Sequence, residues 1–223
     1  MNSSEMIFLA LEQGSEEWLQ ARAGVITASI VRDVIETLKD GKTPSAKARL
    51  KVYQLGMERV AKKPVGEVFN SWQMRRGQEL EHGARQVYEE RTGNIVQESG
   101  IVLSPDRLFG YSTDGFIDAD GMVEIKCLIS AEKVYEMLET GDVGDYLHQM
   151  QTGLWLTGRK WCDFIMYVPE LEPAGNHLYV KRIFRDEAFI DEMVSKLLTV
   201  AGKVAQAEAV FRKQVKETKH EKE

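Results

Sequence analysis

Apolar residues in the first ninety positions recur at helical spacing, and the pattern then switches to alternation. Ser15 can N-cap a helix with Glu16 and Glu17 in its first turn, and Gly24 ends it after Ala23. Ile30, Val31, Val34, Ile35 and Leu38 form a helical stripe that stops at Gly41 and Pro44. Leu50, Tyr53, Met57 and Val60 form another, closed by Pro64, and a longer helix is predicted from Trp72 to Arg91, with Leu80, Ala84, Val87 and Tyr88 inward and Gly93 as its stop. Strands follow at about Ile95 to Leu103, Phe109 to Asp118 and Met122 to Ile129. Helices are expected near Ala131 to Glu139 and Tyr146 to Thr157, the second ended by Gly158. Two more strands, Cys162 to Val168 and Leu178 to Phe184, flank the loop PELEPAGN. A last amphipathic helix spans about Asp186 to Gln214, and the charged tail KETKHEKE should fray into solvent. Helices followed by interleaved strands and helices predict a single α/β domain over 1–214, a mixed sheet covered by helices, with a disordered tail at 215–223.

Composition changes this picture little. With 43% hydrophobic and 29% charged residues, the 223-residue chain has the balance of a globular domain able to bury a full core. The apolar run Met6 to Leu11 is too short for a signal segment or a membrane span, which leads to the expectation of a soluble cytoplasmic protein without membrane partners. Two cysteines, Cys127 and Cys162, are too few for a disulfide framework or a four-cysteine metal site, and His82, His148, His177 and His220 lack zinc-ligand spacing. A bound metal would therefore be held by carboxylates, which suits magnesium or manganese. The net charge of −6 argues weakly against nonspecific wrapping of nucleic acid. Basic clusters such as Lys47/Arg49/Lys51, Arg75/Arg76 and Lys181/Arg182 each read first as solvated surface.

The chemistry concentrates in GYSTDGFIDADGMVEIKCL, Gly110 to Leu128, where Asp114, Glu124 and Lys126 interrupt an apolar hairpin. Turn length decides whether the acids meet. A two-residue loop at Asp120-Gly121 puts Asp114 opposite Cys127 and the acids on opposite faces. A three-residue loop, Ala119-Asp120-Gly121 with Gly121 left-handed, puts Asp114 opposite Lys126 and Phe116 opposite Glu124, so that the three charges converge. A bulge at Gly115 would do the same with the shorter turn. Two carboxylates and a lysine on one face suit metal-assisted phosphodiester cleavage; an exposed ion-pair face is the other reading. A second acid-x-lysine, Glu217-Thr218-Lys219, lies in the polar tail, where no core could support a site.

QGSEEWLQARAGVITAS (Gln13 to Ser29), GYSTDG and VEIKC, in this order, closely resemble the lambda exonuclease and YqaJ-like viral recombinase nucleases of the PD-(D/E)xK superfamily, over about Gln13 to Phe184. The resemblance implies a restriction-endonuclease-like core, a mixed central β-sheet flanked by helices, and assembly as a homotrimeric ring. It implies processive 5′→3′ digestion of linear duplex DNA from its ends, releasing mononucleotides and leaving a 3′ single strand. A single-strand annealing protein then uses that strand in phage or prophage recombination. Two Mg2+ ions per site are implied, with Mn2+ as a substitute. By motif match Asp114 and Glu124 are metal ligands with the Ile125 carbonyl, Lys126 positions the attacking water, and Glu81 in RRGQELEHGAR is a helix acid beside the metals. Without the resemblance, Glu81 reads as an i,i+4 partner of Arg85. Gln149 in LHQMQTGLW matches a glutamine near the scissile phosphate, while Gln151 with Trp155 also resembles the superfamily's glutamine-plus-aromatic motif. Arg22, Ser29 and Ser112 match residues that grip a 5′-terminal phosphate, Met74 falls where a side chain wedges apart the terminal base pair, and Trp18 reads as core near the site. The family's further phosphate-pocket arginine is missing: Glu132 occupies its place, with Lys133 next as the substitute cation. A DNA endonuclease on the same superfamily core is the alternative, and a nonenzymatic DNA-end binder on a dead nuclease fold is a third class.

Overall fold

The computed structural model describes residues 6–66 and 72–213, without the side chains of residues 73 and 74. The tail at 215–223 and the Met74 side chain thus lie outside the described residues. Ser15 caps α1 (Glu16–Arg22) by accepting the Trp18 amide at 3.2 Å, as its position before two acids predicts. The chain leaves α1 through Gly24, at φ +72°, into β2 (Ile26–Thr27); the short strand β1 (Ile7–Leu9) precedes α1.

Two of the expected helical stripes are corrected. The stripe from Ile30 to Leu38 is only a 3-10 turn, Ala28–Ile30, and a single turn of helix, α2 (Val31–Val34). Beyond it, Asp40 shapes a tight turn: its carboxylate collects the Lys42 and Thr43 amides at 2.9 and 2.8 Å and the Thr43 hydroxyl, and Leu38 turns out to solvent. In α3 (Ala46–Ala61), Leu50, Tyr53 and Met57 face outward, and the buried face is Ala48, Val52, Leu55, Gly56 and Glu58. Small residues win this face because α3 lies close against α7 (Glu187–Phe211). A Cβ at Gly56 would stand 2.8 Å from that of Ala207.

Helix α4 (Trp72–Thr92) buries Ala84 and Tyr88 as expected. After it, β3 (Ile101–Leu103), β4 (Phe109–Ser112), β5 (Gly115–Ile117), β6 (Gly121–Lys126), α5 (Ala131–Thr140), α6 (Gly144–Thr157), β7 (Trp161–Tyr167) and β8 (Leu178–Phe184) complete the order. The strand expected from Phe109 to Asp118 divides, and its halves join different sheets. One sheet runs β1-β3-β4-β2 and the other β5-β6-β7-β8; each mixes parallel and antiparallel pairs, so the expected α/β architecture with a mixed sheet flanked by helices is present as two four-stranded sheets. Ile95, expected in a strand, is exposed, and from its neighbourhood only Gln97 bridges to Phe116.

The hairpin register differs from both predicted loops. Gly115 pairs with Val123, Phe116 with Met122 and Ile117 with Gly121, leaving the loop Asp118-Ala119-Asp120. Asp118, at φ +45°, takes the left-handed position assigned to Gly121, and Arg159 pins the turn by donating to the Asp118 and Gly121 carbonyls at 2.8 and 2.7 Å. Gly121 is a paired strand residue beneath the Trp161 ring, and Gly115 pairs in register without a bulge. The observed loop keeps the parity of the three-residue alternative, so Asp114 stands level with Glu124 on one face. Among the described residues, no helix is long and apolar enough to cross a membrane.

Candidate active site

Strand β6 is covered on both faces, which is why an apolar hairpin surrounds charged residues. Val123 and Ile125 pack into a core with Ala84 and Tyr88 of α4, while Met122 joins the larger core that includes Met150 and Leu154 of α6. Glu124 shares the second face and is 1% exposed, so its alternation with apolar neighbours does not mark a solvated edge.

Three side chains, from β4, β6 and α6, meet on its carboxylate. Tyr111 of β4 donates its hydroxyl to Oε2 at 3.1 Å, Lys126 donates Nζ to Oε1 at 2.6 Å, and Gln149 of α6 donates Nε2 to the same Oε1. Asp114 arrives from the crossover between the sheets. Thr113 shapes that crossover through its hydroxyl, which donates to the Gly115 carbonyl at 3.0 Å and accepts the Gly115 amide at 3.1 Å. Asp114 Oδ2 then accepts the Ile125 amide at 2.6 Å.

The electrostatics follow from this crowding. Burial, then the Glu124 charge, pushes the Asp114 carboxyl well above the usual carboxylate range. Burial alone would lower the Lys126 ammonium, but the charges of Glu124 and Asp114 outweigh it and hold it above its ordinary value. Beside the two carboxylates and without a divalent cation, Lys126 is held as a cation and hydrogen-bond donor. Glu81 of α4 is raised by burial, while Arg85, which bonds it at 3.0 Å, pulls it back down and the Glu124 charge raises it further. The i,i+4 pair and proximity to the acids thus coexist at Glu81; Arg85 also reaches Glu98.

Among the described residues, no three Asp, Glu, His or Cys side chains are gathered into a metal-holding cluster, and the Glu81 carboxylate is paired with Arg85. The donors nonetheless fit a hard divalent cation. Asp114, Glu124 and the Ile125 carbonyl offer only oxygen, and the raised Asp114 carboxyl marks a penalty of burial first and of the Glu124 charge second, against which a bound cation would act.

Arg22, Ser29 and Ser112 come together beside this pair. Arg22 donates Nη1 to Ser112 Oγ at 2.9 Å and Nη2 to Ser29 Oγ at 3.4 Å, and its guanidinium lies 4.1 Å over the Trp18 ring. Trp18 donates its indole N–H to Ser112 Oγ at 3.0 Å, so it belongs to the cluster rather than to the core alone. Thr27, which sequence reasoning missed, accepts from Arg22 at 3.3 Å and contacts Ser29; its place two residues before Ser29 in VITAS was the available signal. Burial lowers the Arg22 pKa to about 10, against the raising effect of Glu58. A cleft of about 960 Å3 runs from Trp18 past Gln78 and Glu81 to Asp114.

Other expected residues stand apart. Lys133 pairs with Asp145 at 3.4 Å, and Asp145 is also held by Arg32, so no contact joins Lys133 to Arg22. Gln151 is buried between the Phe184 carbonyl and the Asp186 amide, and Trp155 packs edge-on against Phe109. Tyr111 was also missed; in a strand it reads as core, and its hydroxyl is the only hint.

Residues 17–160 match the family model of the YqaJ-like viral recombinase domain. Among solved structures, an alkaline exonuclease (LHK-Exo) from Laribacter hongkongensis is 35% identical over 89% of this chain and 97% of its own, with a TM-score of 0.77. The same exonuclease in complex with dAMP gives a TM-score of 0.78 at the same identity and coverage. A phage related exonuclease from Haemophilus somnus 129PT, 15% identical over 84% of this chain and 96% of its own, shares the fold with a TM-score of 0.65. Comparison with curated protein sequences gives no match.

Proposed function

The chain belongs to the YqaJ-like viral recombinase family, and from that premise we propose that it is a magnesium-dependent 5′→3′ exonuclease of linear double-stranded DNA. It is a hydrolase that releases 5′-mononucleotides and leaves 3′ single-stranded overhangs. Acting in a bacterial cytoplasm, it hands these overhangs to a single-strand annealing protein in phage or prophage recombination. The exonuclease relatives and the recombinase family support this reading. The observation that carries it is the meeting of Asp114 and Glu124 across the hairpin, with Lys126 and Gln149 on the same carboxylate and the Arg22 cluster along the cleft.

Asp114, Glu124 and the Ile125 carbonyl would hold two Mg2+ ions, with Glu81 beside them and Mn2+ able to substitute. Bound there, these ions neutralise charge on the scissile phosphate and make water a stronger nucleophile at neutral pH. Lys126, fixed as a cation, orients the attacking water by hydrogen bonding and steadies the charge that develops on the phosphoryl oxygens. Gln149 holds Glu124 in place and faces the scissile phosphate, and Tyr111 fixes the other Glu124 oxygen. Against Trp18, which lines the cleft, Arg22 with Ser29 and Ser112 supplies a guanidinium fork and hydroxyl donors for a terminal 5′-phosphate. Lys133, paired with Asp145, adds positive charge to the incoming strand from α5. Three copies close into a ring around the duplex, which supplies processivity.

With Mg2+, linear duplex should disappear while covalently closed circles persist, and Asp114→Ala should slow digestion by about a thousandfold, the scale of several kcal/mol in the barrier. Cleavage of closed circles would overturn the exonuclease reading and select an endonuclease.

A further inference from the structure

Helix α3 brings nothing to the acid pair, yet it sets a buried carboxylate and a guanidinium against the turn that carries Arg22. Glu58 is 7% exposed, and its oxygens take three donors: the Gly24 amide at 2.9 Å, the Gln54 side-chain amide at 3.0 Å and the Val65 amide at 3.3 Å. The neighbouring Arg59 donates Nε to the Gly24 carbonyl at 2.9 Å. Both polar groups of the Gly24 peptide backbone are thus gripped by consecutive residues of one helix. The grip is close. Gly24 sits at φ +72°, and a Cβ there would lie 2.4 Å from Arg59 Cγ and 3.0 Å from its backbone nitrogen.

Gly24 is two residues beyond Arg22, the last residue of α1; the next strand brings in Thr27, and the 3-10 turn after it brings in Ser29. The direction of the chain at Gly24 therefore sets the angle between the guanidinium and its hydroxyl partners. Glu58 makes no hydrogen bond to Arg22, but its charge favours the cationic form of a guanidinium that burial disfavours. A buried carboxylate is costly unless its lone pairs are satisfied, and here backbone amides from two separate turns satisfy them.

Resting on the reading of Arg22, Ser29 and Ser112 as the cradle of a terminal phosphate, we propose that Glu58 is the positioning residue of that cradle: by fixing Gly24 it aims Arg22, and so sets the preference for a 5′-phosphate over a 5′-hydroxyl end. It touches no substrate. Its effect belongs in the ratio of the two affinities, which a purely structural role would leave alone.

The test is equilibrium binding, read by fluorescence anisotropy, of one duplex with either 5′-phosphate or 5′-hydroxyl ends, with calcium replacing magnesium. Wild-type protein should favour the phosphate end, Arg22→Ala should abolish the preference, and Glu58→Gln should cut it by about tenfold, or about 1.4 kcal/mol. Glu58→Asp, which keeps the charge but shortens the reach, should fall between. A folded Glu58→Gln protein with the full preference, beside an Arg22→Ala protein without it, would overturn the inference and leave the cradle standing. Absence of preference in the wild type would overturn both. If Glu58→Gln fails to fold, Gln54→Leu, which removes one donor from the carboxylate at an exposed position, reads the same ratio; a reduced preference supports the inference and an unchanged one overturns it.

Discussion

Asp114 accepts a single backbone amide and stands level with a second buried carboxylate, so its ionisation is opposed from two sides. The consequence for stability has a definite sign. The unfolded chain releases this proton in the ordinary carboxylate range, whereas the folded protein keeps it to higher pH. Without divalent cations, the contribution is fully present in acid and is lost as pH rises through the raised value. Asp114→Asn should therefore melt higher than wild type in EDTA at neutral and alkaline pH, by about 3–6 °C. The gap should close below the usual carboxylate range, and Mg2+ should raise the wild type more than the variant. Calorimetry over a pH series checks this; a gap independent of pH would show that the Asp114 charge is not its source. Much of this residue-level picture was legible. An acid-x-lysine in an apolar strand needs a buried partner, and the parity of a three-residue loop put Asp114 and Glu124 on one face even though the loop itself was placed one residue late. Less legible were the hydroxyl of Tyr111, which a strand pattern assigns to the core, and the tie between Lys133 and Asp145, twelve residues apart with a turn between two helices.

At the scale of elements, the strand carrying Glu124 and Lys126 begins at a glycine for a reason of space. Gly121 lies opposite Trp161 on β7, and a Cβ there would stand 2.2 Å from the indole ring. The ring cannot simply swing away, because the Arg182 guanidinium lies 3.6 Å over its centre, and Arg182 is itself bound bidentately to the buried Asp163. Gly121→Ala should therefore cost about 1–3 kcal/mol, the scale of forced overpacking. It should also lower nuclease activity, since the displaced strand carries two of the site's charged groups. Thermal melting beside a digestion assay checks both, and an unchanged melting temperature would mean that β6 and β7 separate more easily than this packing allows. Elements with strong local signals were read correctly from sequence: the Ser15 cap of α1, the buried face of α4, and the β7 and β8 strands. The failures share a cause in tertiary packing. The outward face of α3 carries large apolar residues at helical spacing, so periodicity selected Leu50, Tyr53 and Met57, whereas close approach to α7 demanded Ala48 and Gly56. The division of the Phe109 to Asp118 run between two sheets depends on a Thr113 turn that strand propensity does not reveal.

For the whole molecule, the proposed function raises the question of how a chain of net charge −6 would hold a polyanion through many cycles of hydrolysis. Nonspecific electrostatic attraction would be weak and would fall steeply with salt. The proposed ring of three copies would separate holding from attraction: the duplex would stay because it is threaded, and positive charge would be needed only at the proposed phosphate contacts of Arg22 and Lys126. This predicts that the two stages of digestion respond differently to conditions. Raising salt from about 50 to about 200 mM should slow the start of digestion far more than its progress, because only the initial capture depends on released counterions. A large excess of unlabelled duplex, added after digestion has begun, should leave the engaged molecules running toward completion, and sedimentation should show a species with three times the 25.3 kDa chain mass. If the competitor stops digestion at once and the protein sediments as a single chain, retention must come from surface contacts instead. The exonuclease chemistry at Asp114 and Glu124 would survive that outcome, while the ring would not.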